Sequence, residues 1–223
     1  MSDPLVCSIA TTTHGRYLVS APSRPGPHPL LVGFHGYGEN AERHLDQLRR
    51  IPAADAWRLV AVQGLHRFYT GKMEDIAASW MTRQDREQAI EDNLAYVNAV
   101  VHAVTDEHAT SALVFAGFSQ GVAMAYRAAA FGDRRADGVV ALGGDLPPDV
   151  RDRAAARLPP VLIGRGTGDT WYTQQKLAAD VADLRAAGVQ LETLVYDGGH
   201  EWTDTFRQAA GAFLRQLDTW GRD

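Results

Sequence analysis

Three side chains in this sequence have types and an order that could do chemistry together. Ser119 lies in Gly117-Phe118-Ser119-Gln120-Gly121, Asp169 in Thr167-Gly168-Asp169-Thr170, and His200 directly after Gly198-Gly199. A serine hydroxyl is a weak nucleophile near neutral pH and needs a base beside it. An imidazole suits that task because it titrates near neutrality. A carboxylate on the far imidazole nitrogen would fix its tautomer and stabilise the cation formed during attack. Ser…Asp…His is the order expected after a nucleophile elbow, a Gly-x-Ser-x-Gly turn between a strand and a helix. Asp145 rivals Asp169, since it also follows an apolar run. His35 precedes the serine, the wrong order for the base, and a structural role at its turn suits it better. No cluster of His, Cys, Asp and Glu has metal-ligand spacing, so no metal or organic cofactor is expected.

The elements needed to position these residues are visible in the pattern. Ser111-Ala112-Leu113-Val114-Phe115 reads as a strand, and Val122 to Ala130 is rich in helix formers. Ser119 therefore falls on a sharp turn, where a Cβ at 117 or 121 would collide and the helix N-terminus offers free N–H groups to an oxyanion. Leu30-Leu31-Val32-Gly33-Phe34, Arg58 to Val62, Gly138 to Leu142 and Val161 to Gly164 read as further strands covered on both faces. Leu191 to Tyr196, of mixed polarity, suits the sheet edge. Asn40 is an N-cap for a helix carrying Leu45, Leu48 and Ile51. Ile90, Leu94, Val97, Val101 and Val104 form an apolar helical stripe. A helix with Leu177, Val181 and Leu184 ends at Gly188, and a last one carries Phe206, Ala210, Phe213 and Leu217. Regular alternation implies a mostly parallel central sheet with helices on both faces. Val6–Thr12 and Arg16–Ala21 read as an N-terminal hairpin, Pro22 to Pro29 as a loop, and residues 63–83 as a long irregular loop. The aromatics of that loop (Phe68, Tyr69, Trp80) could equally line a pocket or pin the loop down. The connection from Leu142 to Val161 is too short for a cap domain.

Bulk properties narrow the function further. The chain has 223 residues, 45% hydrophobic and 22% charged, which suits a single α/β domain over 1–223. A formal net charge of −5 without a basic run argues against nucleic acid or an anionic membrane as partner. Cys7 is the single cysteine, so no intrachain disulfide can form. No signal peptide and no apolar run of ~20 residues is visible, so a cytoplasmic protein with no integral membrane segment is expected. The sequence does not fix the oligomeric state, and a homodimer is compatible with it.

With these motifs in hand, the chain resembles an α/β-hydrolase of the phospholipase/carboxylesterase type, which includes acyl-protein thioesterases. The resemblance rests on His35-Gly36-Tyr37-Gly38-Glu39, Ser79-Trp80, Gly117-Phe118-Ser119-Gln120-Gly121, Gly168-Asp169 and Gly199-His200. It implies Ser119 as nucleophile, Asp169 as acid and His200 as base, with an oxyanion hole from the backbone N–H groups of Tyr37 and Gln120. Two departures are visible. Val122 stands where the family usually has another glycine. Arg165-Gly166-Thr167-Gly168-Asp169 replaces the commoner His-Gly start of the acid turn, with Trp171-Tyr172 following.

The expected function is hydrolysis of small to medium carboxylic esters through an acyl-enzyme. Trp80, Trp171, Tyr172 and Trp202 are expected to line a short substrate pocket. Thioesterase or lysophospholipase activity on longer acyl chains is the alternative within the class. A peptidase is less favoured, for want of a domain to hold a peptide. A non-catalytic binding protein on the same scaffold is the alternative from another class.

Overall fold

A computed structural model describes residues 3–22, 26–71 and 74–220, with the side chains of 218–220 outside the description. Seven strands form the main sheet: β1 (Arg16–Ser20), β2 (Leu30–Phe34), β3 (Arg58–Gln63), β6 (Leu113–Phe118), β7 (Gly138–Leu142), β8 (Val161–Gly166) and β9 (Leu191–Tyr196). Their order across the sheet is β1-β3-β2-β6-β7-β8-β9. Every pairing is parallel except β1 with β3. Between β3 and β6, strands β4 (His66–Thr70) and β5 (Asp75–Ser79) form a separate antiparallel hairpin. The helices are α1 (Ala41–Arg49), α2 (Arg86–Glu107), α3 (Gln120–Phe131), α4 (Pro148–Ala154), α5 (Gln174–Ala186) and α6 (Asp204–Trp220).

Alternation along the strands divides the core in two. Leu30, Val32 and Phe34 of β2 point to one face, where Val97, Val101 and Val104 of α2, Val122 and Met124 of α3, and Leu177 and Leu184 of α5 cover them. Leu31, Leu59, Val114 and Leu162 point to the other, under Leu45 and Leu48 of α1 and Phe206, Phe213 and Leu217 of α6. Asn40 caps α1 as its sequence suggests, its side chain accepting from the Arg43 amide. Between β7 and β8 lie only α4 and a short 3₁₀ turn, Ala155–Arg157. Among the described residues no helix is long and apolar enough to cross a membrane.

Two sequence expectations need correction. Val6–Thr12 forms no strand and is exposed throughout, so there is no N-terminal hairpin. The strand at Arg16–Ser20 instead pairs antiparallel with β3, Arg16 opposite Gln63. Its partner lies far along the chain because β3 offers an open edge there, whereas the polar 8–14 stretch has little to bury. The 63–83 stretch is not irregular either: most of it is the β4–β5 hairpin, with residues 72–73 outside the description. Of the Pro22–Pro29 loop, residues 23–25 likewise lie outside it.

The turn between β6 and α3 is tight. Ser119 has φ 53° and ψ −119°, a conformation that L-residues rarely adopt and that costs about 1–3 kcal/mol. Its amide donates to Leu142 O at 2.9 Å and its carbonyl accepts from Val122 N at 3.0 Å. A Cβ on Gly121 would lie 2.1 Å from Phe34 O, and one on Gly117 would lie 2.5 Å from Gly121 O. Both obstacles are backbone and cannot swing aside. Gly121→Ala is therefore expected to destabilise the fold by about 3 kcal/mol or more, as overpacking against immobile atoms does. Urea unfolding would measure it, and a loss under about 1 kcal/mol would contradict this account of the turn.

Candidate active site

The parallel strands deliver their following turns to one rim, as an open parallel sheet must. The turns after β2, β6, β7, β8 and β9 meet there. The β8 and β9 turns are laced together: Thr167 N donates to Tyr196 O and Gly168 N to Gly198 O, both at 2.8 Å. A Cβ on Gly166 would sit 2.2 Å from Gly199 O, so the turns approach as closely as bare backbone permits. This lacing sets Asp169 beside His200, with His200 Nδ1 bonded to Asp169 Oδ2 at 2.8 Å. The other carboxylate oxygen accepts the amides of Trp171 and Tyr172 at 2.8 and 2.9 Å. Asp169 is buried at 3% exposure, while the His200 side chain keeps 23%, enough to meet a substrate.

The turn after β7 lies between this pair and the Ser119 turn. Gly143 and Gly144 fill the narrow space between the carboxylate, the imidazole and the elbow. A Cβ on Gly143 would stand 3.1 Å from His200 Cε1 and 3.4 Å from Asp169 Oδ2. One on Gly144 would stand 2.4 Å from Ser119 O and 2.6 Å from Val122 Cβ. The bulk of Val122, the departure noted in the sequence, is thus accommodated by the bare Gly144. Phe118 packs its ring on His200, with centroids 5.0 Å apart. No hydrogen bond joins Ser119 Oγ to His200 in this state, and such bonds commonly tighten only when substrate arrives.

The turn after β2 presents an amide. Gly36 N donates to Glu39 Oε2 at 2.8 Å, Gly38 N to Ala78 O at 3.1 Å and Glu39 N to Gly36 O at 3.2 Å. Tyr37 N–H is the amide of this turn with no acceptor among the described residues. Gln120 N–H is the first of α3 and precedes the intrahelical ladder. Burial raises the pKa of Glu39, partly offset by its bond from the Gly36 amide. The Gln120 side chain has a separate job. Its Oε1 accepts from Trp80 N at 2.9 Å and its Nε2 donates to Met81 O at 2.9 Å, stitching the 79–81 segment to the elbow.

His35 is wholly buried, and burial lowers its pKa. Its Nε2 accepts from Gly64 N at 3.0 Å, so Nδ1 carries the proton and donates to Gly36 O at 2.7 Å. That bonding leaves it no lone pair for a reacting group. Asp145 is exposed and paired with Lys176 at 2.9 Å, and no hydrogen bond joins it to an imidazole among the described residues.

A cavity of about 600 Å³ opens beside Ser119 and Gln120. It is lined by the apolar Met81, Ala123, Leu146, Pro147, Pro148 and Trp171 and also by Arg83, Arg86, Arg151 and Lys176. Of the four aromatics expected there, only Trp171 lines it. Trp80 is fully buried, packed on Phe34 and donating Nε1–H to His35 O at 2.9 Å. Tyr172 turns into the core and donates to Asp180 at 2.9 Å. Trp202 packs edge-on against Phe206. Each buries a large apolar ring, which outweighs lining a wet cleft. Phe68 stacks instead near Tyr37, with centroids 5.6 Å apart. Among the described residues no group of His, Cys, Asp and Glu could hold a metal ion.

A mostly parallel sheet with helices on both faces and a strained serine turn at its rim is the α/β-hydrolase fold. The sequence profile of the Phospholipase/Carboxylesterase family matches residues 15–217, and the chain belongs to that family, which places it among the serine hydrolases. Solved structures agree on the fold. Esterase PE8 superposes with a TM-score of 0.73 at 21% identity, covering 91% of this chain and 98% of that one. Acyl-protein thioesterase 2 of Zea mays gives 0.71 at 20%, covering 92% and 99%. The Bacillus cereus carboxylesterase gives 0.73 at 15%, covering 91% and 94%. Among curated proteins, none matches the chain in sequence.

Asp180 at the cavity floor offers a pH test. Burial lifts its pKa from 3.8 to about 6, against the opposing bonds from Leu146 N and Tyr172 OH. The folded state then binds the proton more tightly than the unfolded one. The stability this contributes is complete below the unfolded value and lost as pH rises through the folded value. Wild type should lose stability relative to Asp180→Asn between pH 4 and about 6.5. Thermal unfolding of both proteins across that range checks it, and a constant difference would refute the burial argument.

Proposed function

We propose that Ser119, His200 and Asp169 act as a catalytic triad and that the protein is a carboxylesterase of small to medium esters. The observation that carries this reading is the 2.8 Å bond from His200 Nδ1 to a buried Asp169, set beside the strained Ser119 turn. In this reading His200 takes the Ser119 proton as Oγ attacks the ester carbonyl. The tetrahedral oxyanion forms against the amides of Tyr37 and Gln120. His200 then protonates the leaving alcohol, and the acyl-enzyme is hydrolysed by water that His200 activates. No metal or organic cofactor is needed for any step, and residues 1–223 serve as one domain.

The cavity supports a preference for short acyl chains. Each methylene gains about 0.8 kcal/mol only while apolar wall remains to cover it. Here one cavity of about 600 Å³ is shared by Met81, Leu146 and Trp171 with three arginines and a lysine, which limits the apolar wall open to a long chain. Acetyl to hexanoyl esters should exceed dodecanoyl esters in kcat/KM. A steady rise out to palmitoyl, or a marked preference for thioesters, would favour the acyl-protein thioesterase or lysophospholipase reading instead.

A fluorophosphonate probe should label the wild-type protein on Ser119 and leave Ser119→Ala unlabelled. Ser119→Ala should fold normally and lose on the order of 10⁴-fold or more in kcat for nitrophenyl butyrate. Retention of a tenth of wild-type turnover would overturn the triad. Asp169→Asn should cost roughly 10²–10⁴-fold, whereas Asp145→Asn should cost little. The reverse ranking in steady-state kinetics would move the acid to the earlier turn.

A further inference from the structure

The acid turn is built around a buried cation. Arg165 stands near the end of β8 at 7% exposure, paired in register with Val195. A guanidinium removed from water demands partners, and a carboxylate is the usual one. Among the described residues no ion pair involves Arg165. Its donors go to the following stretch of chain instead. Nε donates to Tyr172 O at 2.8 Å, and Nη2 to Thr167 O at 3.3 Å and Asp169 O at 3.4 Å. Nη1 donates to Gln174 Oε1 at 3.4 Å. The chain from Thr167 to Gln174 is therefore wrapped around one planar group.

That arc carries Asp169 and both amides that hold its Oδ1, those of Trp171 and Tyr172. Oδ2 is then directed at His200 Nδ1. We propose that Arg165 is a positioning residue for Asp169: by binding the carbonyls at 167, 169 and 172 together, it sets the backbone that aims the carboxylate at His200. This rests on the triad reading above for its effect on turnover. Arg165 touches neither His200 nor the cavity and takes no part in proton transfer. Lysine could not substitute, because its donors radiate from one point and do not span both sides of the arc as a planar fork does.

A double-mutant cycle separates positioning from general structural support. Arg165→Met keeps an unbranched apolar stem and removes the fork. It should lower kcat on nitrophenyl butyrate about 100-fold with KM within about threefold. In an Asp169→Asn background the same change should cost no more than about threefold further, since the residue it acts through is already disabled. Should Arg165→Met fail to fold, Arg165→Lys takes its place in the cycle. Full retention of kcat by the single variant, or multiplicative losses in the double, overturns the proposal.

Proton NMR reads the same bond without turnover. The far-downfield imidazole N–H resonance of a His–Asp hydrogen bond should be present in wild type and lost in both Asp169→Asn and the Arg165 variant. Its survival in the Arg165 variant overturns the proposal. A wild type that shows the resonance but hydrolyses no ester would sink the proposed function, while the positioning of Asp169 would still be decided on the resonance.

Discussion

The structure depends on one strained peptide turn. Ser119 holds a positive φ at a cost of about 1–3 kcal/mol, and it can do so only because its surroundings leave no alternative. The strand before it is central in the sheet, flanked by β2 and β7. The Leu142 carbonyl takes its amide, and the Phe34 carbonyl lies where a side chain at 121 would go. Strand order, helix placement and the bare glycines around the elbow all serve that close approach. Once β6 is fixed, the parallel ladder places the turns after β7, β8 and β9 in sequence along the same rim.

Buried polar groups near the rim are spent on backbone more than on one another. Glu39 holds the Gly36 amide, Asp180 the Leu146 amide, Arg165 a run of carbonyls, and Gln120 both sides of the 79–81 segment. Each turns a connection that would otherwise be loose into a fixed one. Surface pairs such as Arg43–Asp75, more than half exposed on both sides, contribute little by comparison. Arg127–Asp149 differs from these surface pairs: the guanidinium of Arg127 on α3 is wholly buried and bound to Asp149 of α4 through two bonds of 2.8 Å.

Much of this was legible in the residues, for local reasons. Strands buried on both faces read as unbroken apolar runs, so β2, β3, β6, β7 and β8 stand out. Ser119, Asp169 and His200 could be singled out because each follows a strand-like segment and has glycine within two residues before it. What could not be read depends on contacts distant in sequence. The partner of β1 is a strand whose paired residues lie 39 to 47 positions along the chain. The exposed β-prone residues at 6–12 mimic a strand but have nothing to cover. Nothing local distinguishes Trp171, at the cavity, from Trp80, in the core. Gly143 and Gly144 look like an ordinary turn until the His200 ring and the Ser119 carbonyl are seen against them. Arg165 reads as a surface cation until its carbonyl partners appear.

The His200 turn hangs from an edge strand. β9 has a neighbour only on its β8 side, and of its six residues only Tyr196 is buried. Opening free energies within one protein range from near zero at frayed margins to the global value at the centre. The Ser119 turn follows a central strand, and the His200 turn follows an edge strand of the same sheet. Bonds from Thr167 N to Tyr196 O and from Gly168 N to Gly198 O tether this margin to the turn after β8, and Tyr196 OH to Glu201 O braces it from within. Warming can thus disassemble the site by margin fraying while the hydrophobic centre, and with it the elbow, remains closed to solvent.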